Sequence, residues 1–306
     1  MERRDFIKRS ALATMALGSS LNPGKFSSLF ANSLAAGTAY DLVAIKGGEP
    51  DVMFDKGIAS LGGMTNFVKK GQKVVIKPNI GWDVVPENGA NTNPKLVGRI
   101  IQHCLNAGAK EVFVFDHTCD NWTSCYSDSG IERAVKDAGG KIVSGATEGY
   151  YHQVYINRGK AIKSAKVHEL ILDSDVFINV PVLKNHDSGK LSSGMKNMMG
   201  VVWDRQEWHR NDLQQSIADF ASYRQPNLTV IDAYNVMMKN GPRGTSKEDV
   251  VLMKQQIIST DMVAADTAGV KILGMQPDDI PYIKMAAEMK LGRKDLSKLK
   301  INRIKL

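Results

Sequence analysis

Short apolar runs alternate with amphipathic stretches along most of this chain. "YDLVAIKG" (40–47), "KVVIKPN" (73–79), "EVFVFD" (111–116), "DVFINVPVL" (175–183) and "NLTVIDA" (227–233) read as strands. They are rich in β-branched and aromatic residues. "KIVS" (141–144) is a weaker strand, and the alternation over 150–167 predicts a hairpin. Helical periodicity places helices over 51–61, from Asn93-Pro94 to Gly108, in "DSGIERAVKDAGG", over 212–223, and near 262–273 and 279–291. Asn93 suits an N-cap and Pro94 the first turn, while paired glycines stop the third of these helices.

Strands alternating with helices of this length imply crossover units. The expected fold is therefore α/β: a mostly parallel sheet with helices on both faces. Two lobes, 40–165 and 166–306, around a cleft and one domain with a deep cleft both fit the pattern. No repeat of 20 to 50 residues and no low-complexity segment is evident.

In open parallel sheets, ligands bind beyond the carboxyl ends of the strands. Four strands of this chain are followed by polar groups that could share one such edge. Lys77 and Asn79 follow the second strand, Asp116 and His117 the third, Lys184, Asn185 and His186 the most apolar one, and Asp232 the last. Asp116, His117 and His186 are candidates for acid–base work. Lys77, Asn79, Lys184, Asn185 and Asp232 are candidates for holding a ligand. "SSGMKNMMG" adds Lys196 and Asn197 on a glycine-flanked turn, with Ser192 or Ser193 as its cap and free amides that suit an anion. Arg243, in the turn "KNGPRGT", suits a carboxylate. His117 and His186 are the candidate ligands of a divalent metal, which is an open cofactor. All four tryptophans lie in loops leaving these strands, as for an aromatic-lined cleft. Each of these groups also has a plain structural use in satisfying its own loop.

Charge narrows the partners. The chain carries net +8, of which the first 36 residues hold +3, leaving +5 over the other 270. Without an aromatic-interleaved basic stripe, nucleic acid is not expected as a partner. The first residues, "MERRDFIKRSALATMAL", put Arg3-Arg4 before a short apolar run, and "SLAAGTA" (33–39) follows. This order reads as a twin-arginine export signal over 1–36, with the twin-arginine translocase as a partner and a periplasmic or otherwise exported product. The apolar run is too short for a stable membrane anchor. Three cysteines are too few for an iron–sulfur cluster, which needs about four thiolates. For Cys119 and Cys125, which share a loop, a disulfide and free thiols are both open.

The motifs "VVIKPNIGW", "TNPKLVGRIIQHCLNAGAKEVFVFD", "DVFINVPVLKNHDSGKLSSGMKNMMGVV" and "STDMVAADTAGVKILGMQPDDIPYI" together resemble the domain of unknown function 362 (DUF362) family of bacterial and archaeal proteins. The likeness covers nearly all of residues 37–306. Some members of that family carry an iron–sulfur module, which implies a redox-associated role for those members and makes it one alternative here. The reading the residues favour is an exported enzyme acting on a small anionic substrate. A non-catalytic solute-binding or accessory protein is the other alternative.

Overall fold

A computed structural model describes residues 39–306, so the stretch 1–36, read as an export signal, lies outside the described residues. The strands are β1 (Leu42–Lys46), β2 (Lys73–Pro78), β3 (Glu111–Val114), β4 (Lys141–Ile142), β5 (Tyr151–Tyr155), β6 (Ser164–His168), β7 (Val176–Val180), β8 (Val182–His186), β9 (Lys190–Ser192), β10 (Leu228–Met237), β11 (Val250–Ser259) and β12 (Ile301–Lys305). The helices are α1 (Pro50–Ser60), α2 (Pro94–Asn106), α3 (Trp122–Asp128), α4 (Ile131–Asp137), α5 (Glu169–Asp173), α6 (Gly194–Asn197), α7 (Gln206–Arg210), α8 (Leu213–Ala221), α9 (Met262–Ile272) and α10 (Pro281–Glu288). Asn93 does cap α2, its side chain accepting from the Lys95 N–H.

One sheet runs in the order β12-β1-β11-β10-β7-β2-β3-β4, with β8 added beside β10 and β9 beside β8. From β10 to β4 the neighbours are parallel. The sheet is therefore mixed and mostly parallel, as the alternation of elements implies. Successive strand residues point to opposite faces. Val74, Ile76 and Ile178 pack with Phe54 of α1 and Val97 and Ile101 of α2. Val75, Phe177 and Ile231 pack on the other side with Ile217 and Phe220 of α8 and Val263 of α9. A strand covered on both faces is mostly apolar, as "VFINV" is, its one polar residue, Asn179, being buried and hydrogen-bonded.

Three differences from the sequence reading bear on the site. The stretch 175–183 is not one strand. Pro181 has no N–H to offer a ladder, and β7 stops against β2 where Val180 faces Pro78, which has none either. The chain then resumes as β8 beside β10. Lys184, Asn185 and His186 therefore lie on a strand, in a short hairpin with β9, rather than in a loop. β10 continues to Met237, so Asp232 is inside a strand and not at its end. Finally, β11 and β12 were not anticipated. The polar "KQQ" inside β11 breaks its apolar run, and its ladders to β1 and β10 make it a strand.

Candidate functional site

A cavity of about 250 Å³ opens where β2 and β3 end and β8 diverges. β2 delivers Lys77 and, just beyond its end, Asn79; the loop after β3 delivers Asp116 and His117. Lys184 and His186 come from β8, Lys196 and Asn197 from α6. β2 and β7 end together at the Pro78–Val180 pair, and Pro181 and Val182, where the chain breaks, form part of the cavity wall.

Lys77 anchors the floor. Its ammonium lies 2.9 Å from Asp116 Oδ1, and both side chains are almost fully buried. It also donates to Asn197 Oδ1 at 2.6 Å. The other Asp116 oxygen accepts from the Ile80 N–H at 2.7 Å. Asn197 Nδ2 donates to the Lys77 carbonyl and to Asn179 Oδ1. Burial pushes the Lys77 pKa down, and Asp116 pulls it back up without cancelling the effect. Gly200 closes over the pair: a Cβ there would stand 1.9 Å from Asp116 Oδ1 and 2.6 Å from Lys77 Nζ. Any side chain at 200 would force the ion pair apart.

The other cations lack such partners. Among the described residues, Lys184, Lys196 and Arg205 have no carboxylate within ion-pair distance. Lys184 is buried and donates to the Ala90 carbonyl at 2.5 Å. The half-buried Lys196 has a contact with the Met199 thioether, 3.5 Å from its nitrogen. Arg205 donates to the carbonyls of His117 and Thr118, at 2.5 and 2.6 Å. Burial, with the neighbouring Lys196 charge adding to it, pushes Lys184 down to about 7. Burial first, then Arg205 and Lys77, pushes Lys196 down to about 8.

The two histidines differ in which nitrogen is free. His117 Nδ1 lies 3.1 Å from the Val202 carbonyl. A carbonyl only accepts, so Nδ1 carries the hydrogen and Nε2 keeps its lone pair. The ring is stacked on Trp203 at 4.9 Å, which fixes its plane. Burial, then Arg205, holds its pKa below the usual range, so it is a neutral base at pH 7. His186 is the reverse. Its Nδ1 accepts from the Gly189 N–H at 3.1 Å, so in the neutral ring Nε2 bears the hydrogen and can only donate. Burial, then Lys196 and Lys184, drives its pKa to about 2.

This donor set does not fit a divalent metal. His186 has no free lone pair, the surplus charge is positive, and among the described residues no group of three or more His, Cys, Asp and Glu is placed to hold a metal ion.

Three candidates lie off the cavity wall. Asn185 faces a shallower cavity with Asp187 and Asn240. Asp232 is buried and accepts from the N–H groups of Asn93 and Tyr234, at 2.7 and 3.0 Å, so it ties β10 to the start of α2. Arg243 does grip carboxylates, but they are the chain's own Asp83 and Asp120, at 2.7 and 2.9 Å. The amides expected to hold an anion at the start of α6 are also taken, because the buried Asp266 accepts from Gly194 and Met195 at 2.6 and 2.9 Å. Of the tryptophans, Trp82 lines the cavity and Trp203 backs His117, while Trp208 is buried against Phe220 and Trp122 packs on Tyr126. Cys119 and Cys125 are free thiols.

Arg205, His209 and Cys119 also line the cavity. The sequence leaves His209 between closing over the cleft and lying exposed, with the exposed reading favoured, and marks neither Arg205 nor Cys119 for the site. Arg205 and His209 belong to an excursion without periodicity, tied to the wall by the carbonyls that Arg205 holds and to the core by Trp208.

The family profile for the domain of unknown function (DUF362) matches residues 74–271. A thylakoid-associated protein of Synechocystis sp. is 27% identical over 240 residues, which are 76% of this chain and 72% of that protein. Among solved structures, the lactate racemase apoprotein of Thermoanaerobacterium thermosaccharolyticum matches with TM-score 0.46 and 10% identity over 75% of this chain and 56% of its own. A Thermotoga maritima protein matches with TM-score 0.45 and 13% identity over 79% of this chain and 60% of its own. The chain thus spans less than two thirds of either solved structure.

Proposed function

The chain belongs to the DUF362 family, and from its cavity we propose that this protein is an enzyme that binds a small anion beyond β2, β3 and β8 and acts on it by acid–base chemistry. One observation carries this reading. The cavity wall brings Lys77, Lys184, Lys196 and Arg205 to one carboxylate, Asp116, which Lys77 already neutralises. Unpaired buried cations are costly, and an anionic ligand removes that cost. In such a partly dry site an ion pair at 4 Å is worth about 4 kcal/mol at an effective dielectric of ~20, against about 1 in water.

His117 Nε2 is then the base that takes a proton from the bound molecule, and His186 Nε2–H is a donor to an oxygen on it. Lys184 and Lys196 supply the countercharge. A solute-binding protein would use the same cations without turnover. The neutral His117, held in one tautomer on the cavity wall, favours chemistry.

Calorimetric titration with acetate, sulfate and phosphate tests the anion site. Lys196→Ala is expected to weaken binding by about 10–100-fold, as loss of a charged hydrogen bond of ~1.5–3 kcal/mol would. Its melting temperature is expected to stay within about 2 °C, since Lys196 holds no oxygen of the chain. Lost stability with intact binding would overturn the reading.

We further propose that the protein is exported by the twin-arginine route, on the order Arg3-Arg4, apolar run and small residues. Replacing both arginines by lysine is expected to leave full-length precursor in the cytoplasm. Mature protein outside the cytoplasm at normal level in that variant would refute it.

A further inference from the structure

We propose that Lys196 is a nucleophile that forms an imine with a small anionic carbonyl compound, a 2-oxo acid or aldehyde acid, held in this cavity; this rests on the anion site described above. The cavity holds two lysines that Asp116 does not neutralise, and they are not equivalent. The Lys184 nitrogen is held on the Ala90 carbonyl, 2.5 Å away, with Asn79 Oδ1 at 3.4 Å. It is fixed as a donor and is almost wholly enclosed. The Lys196 nitrogen faces the Met199 thioether, a weak acceptor that gives an ammonium little reason to stay charged.

Backbone geometry aims the side chain. A Cβ on Gly189 would stand 2.3 Å from Lys196 Cε and 2.7 Å from Cδ, so the stem runs close against the Gly189 backbone. The cavity wall around it carries three other cations, Lys77, Lys184 and Arg205, against one carboxylate, Asp116, which Lys77 holds, and the Cys119 thiol, which acts against the lowering. His186 and His209, both held below the usual histidine range, complete the wall. Desolvation and neighbouring cations are the two known ways of making a lysine amine nucleophilic near neutral pH. With a pKa of about 8, about a quarter of Lys196 is free amine at pH 7.5, a few hundredfold more than for an ordinary lysine.

The step balances without an added reagent. The amine lone pair attacks the carbonyl carbon, and the C=O π pair moves to oxygen, which takes a proton. The carbinolamine then loses that oxygen as water together with the second amine hydrogen, leaving C=N. His186 Nε2–H is a donor to the departing oxygen, and His117 Nε2 accepts the proton from nitrogen. Lys184 and Arg205 answer the carboxylate.

The probe is pyruvate with cyanoborohydride at pH 7.5, which reduces an imine and leaves a carboxyethyl group on the lysine. One carboxyethyl group per chain is expected, mapped to Lys196 by peptide mass spectrometry. Acetate is expected to slow its formation. Lys196→Arg, checked by circular dichroism for native folding, is expected to lower the adduct about tenfold or more; the wild-type peptide map decides the matter even if that variant fails to fold. Adduct on Lys184, or scattered over surface lysines, would overturn the assignment. Acetate binding with no adduct would overturn the imine and leave the anion site standing, whereas no acetate binding and no adduct would overturn both.

Discussion

Lys77→Met is expected to lower the melting temperature by about 6–20 °C. The residue is fully buried beside Asp116, 2.9 Å away. Removing one partner of a buried ion pair leaves an uncompensated charge, at a cost of ~3–5 kcal/mol. In a domain of this size each kcal/mol is worth about 2–4 °C. The loss should come from the stranded Asp116 carboxylate rather than from lost packing, since methionine fills most of the lysine stem. The double variant Lys77→Met with Asp116→Asn tests that directly. It has no buried charge at this position and keeps an oxygen for the Ile80 N–H, so it is expected to recover most of the loss. Thermal denaturation of the two single variants and the double closes the cycle. A Lys77→Met protein that melts within about 2 °C of the parent, or a double variant no better than the single, would show that the pair does not hold the cavity floor.

Anion affinity is expected to fall about 30- to 100-fold between pH 6.5 and 8.5, through the two lysines together. The sign follows from their pKa values in the free protein, about 7 for Lys184 and about 8 for Lys196. Both are mostly charged at pH 6.5 and mostly neutral at pH 8.5. A bound anion raises both pKa values, so binding takes up protons, and affinity drops as pH rises past the free values. Calorimetry with acetate in buffers of different ionisation heat measures the uptake directly. Lys196→Arg should remove about one proton from the uptake while keeping a charge. Affinity that is flat or rises over this window would refute the reading. The same groups act oppositely on folding. Both are near ~10.4 in the unfolded chain, which therefore binds more protons from pH 7 to about 10, and their contribution to stability grows with pH across that range.

The sequence alone determined the parts of this protein that depend on neighbours along the chain. Apolar runs such as "VVI" and "VFINV" must be covered on two faces, and that need implied the parallel sheet. Asn93 before Pro94 set the start of α2 because a cap and its amides are two residues apart. Lys77, Asp116, His117 and Lys196 could be picked out because a strand end or a glycine-flanked turn marked each one.

Only the tertiary structure decided what those groups can do. Asp232 and Arg243 had the right chemistry for a ligand and were spent on Asn93 and Tyr234, and on Asp83 and Asp120. The amides of α6 went to Asp266, 71 or 72 residues away. Arg205 entered the site by holding carbonyls 87 and 88 residues back. The free nitrogen of His117 depended on the Val202 carbonyl, 85 residues away. A hydrogen-bond partner and a desolvated surroundings are supplied by whatever packs alongside, and packing joins residues that lie far apart in the chain. A lysine reads the same in any sequence, and burial among other cations gave Lys184 and Lys196 their lowered pKa values.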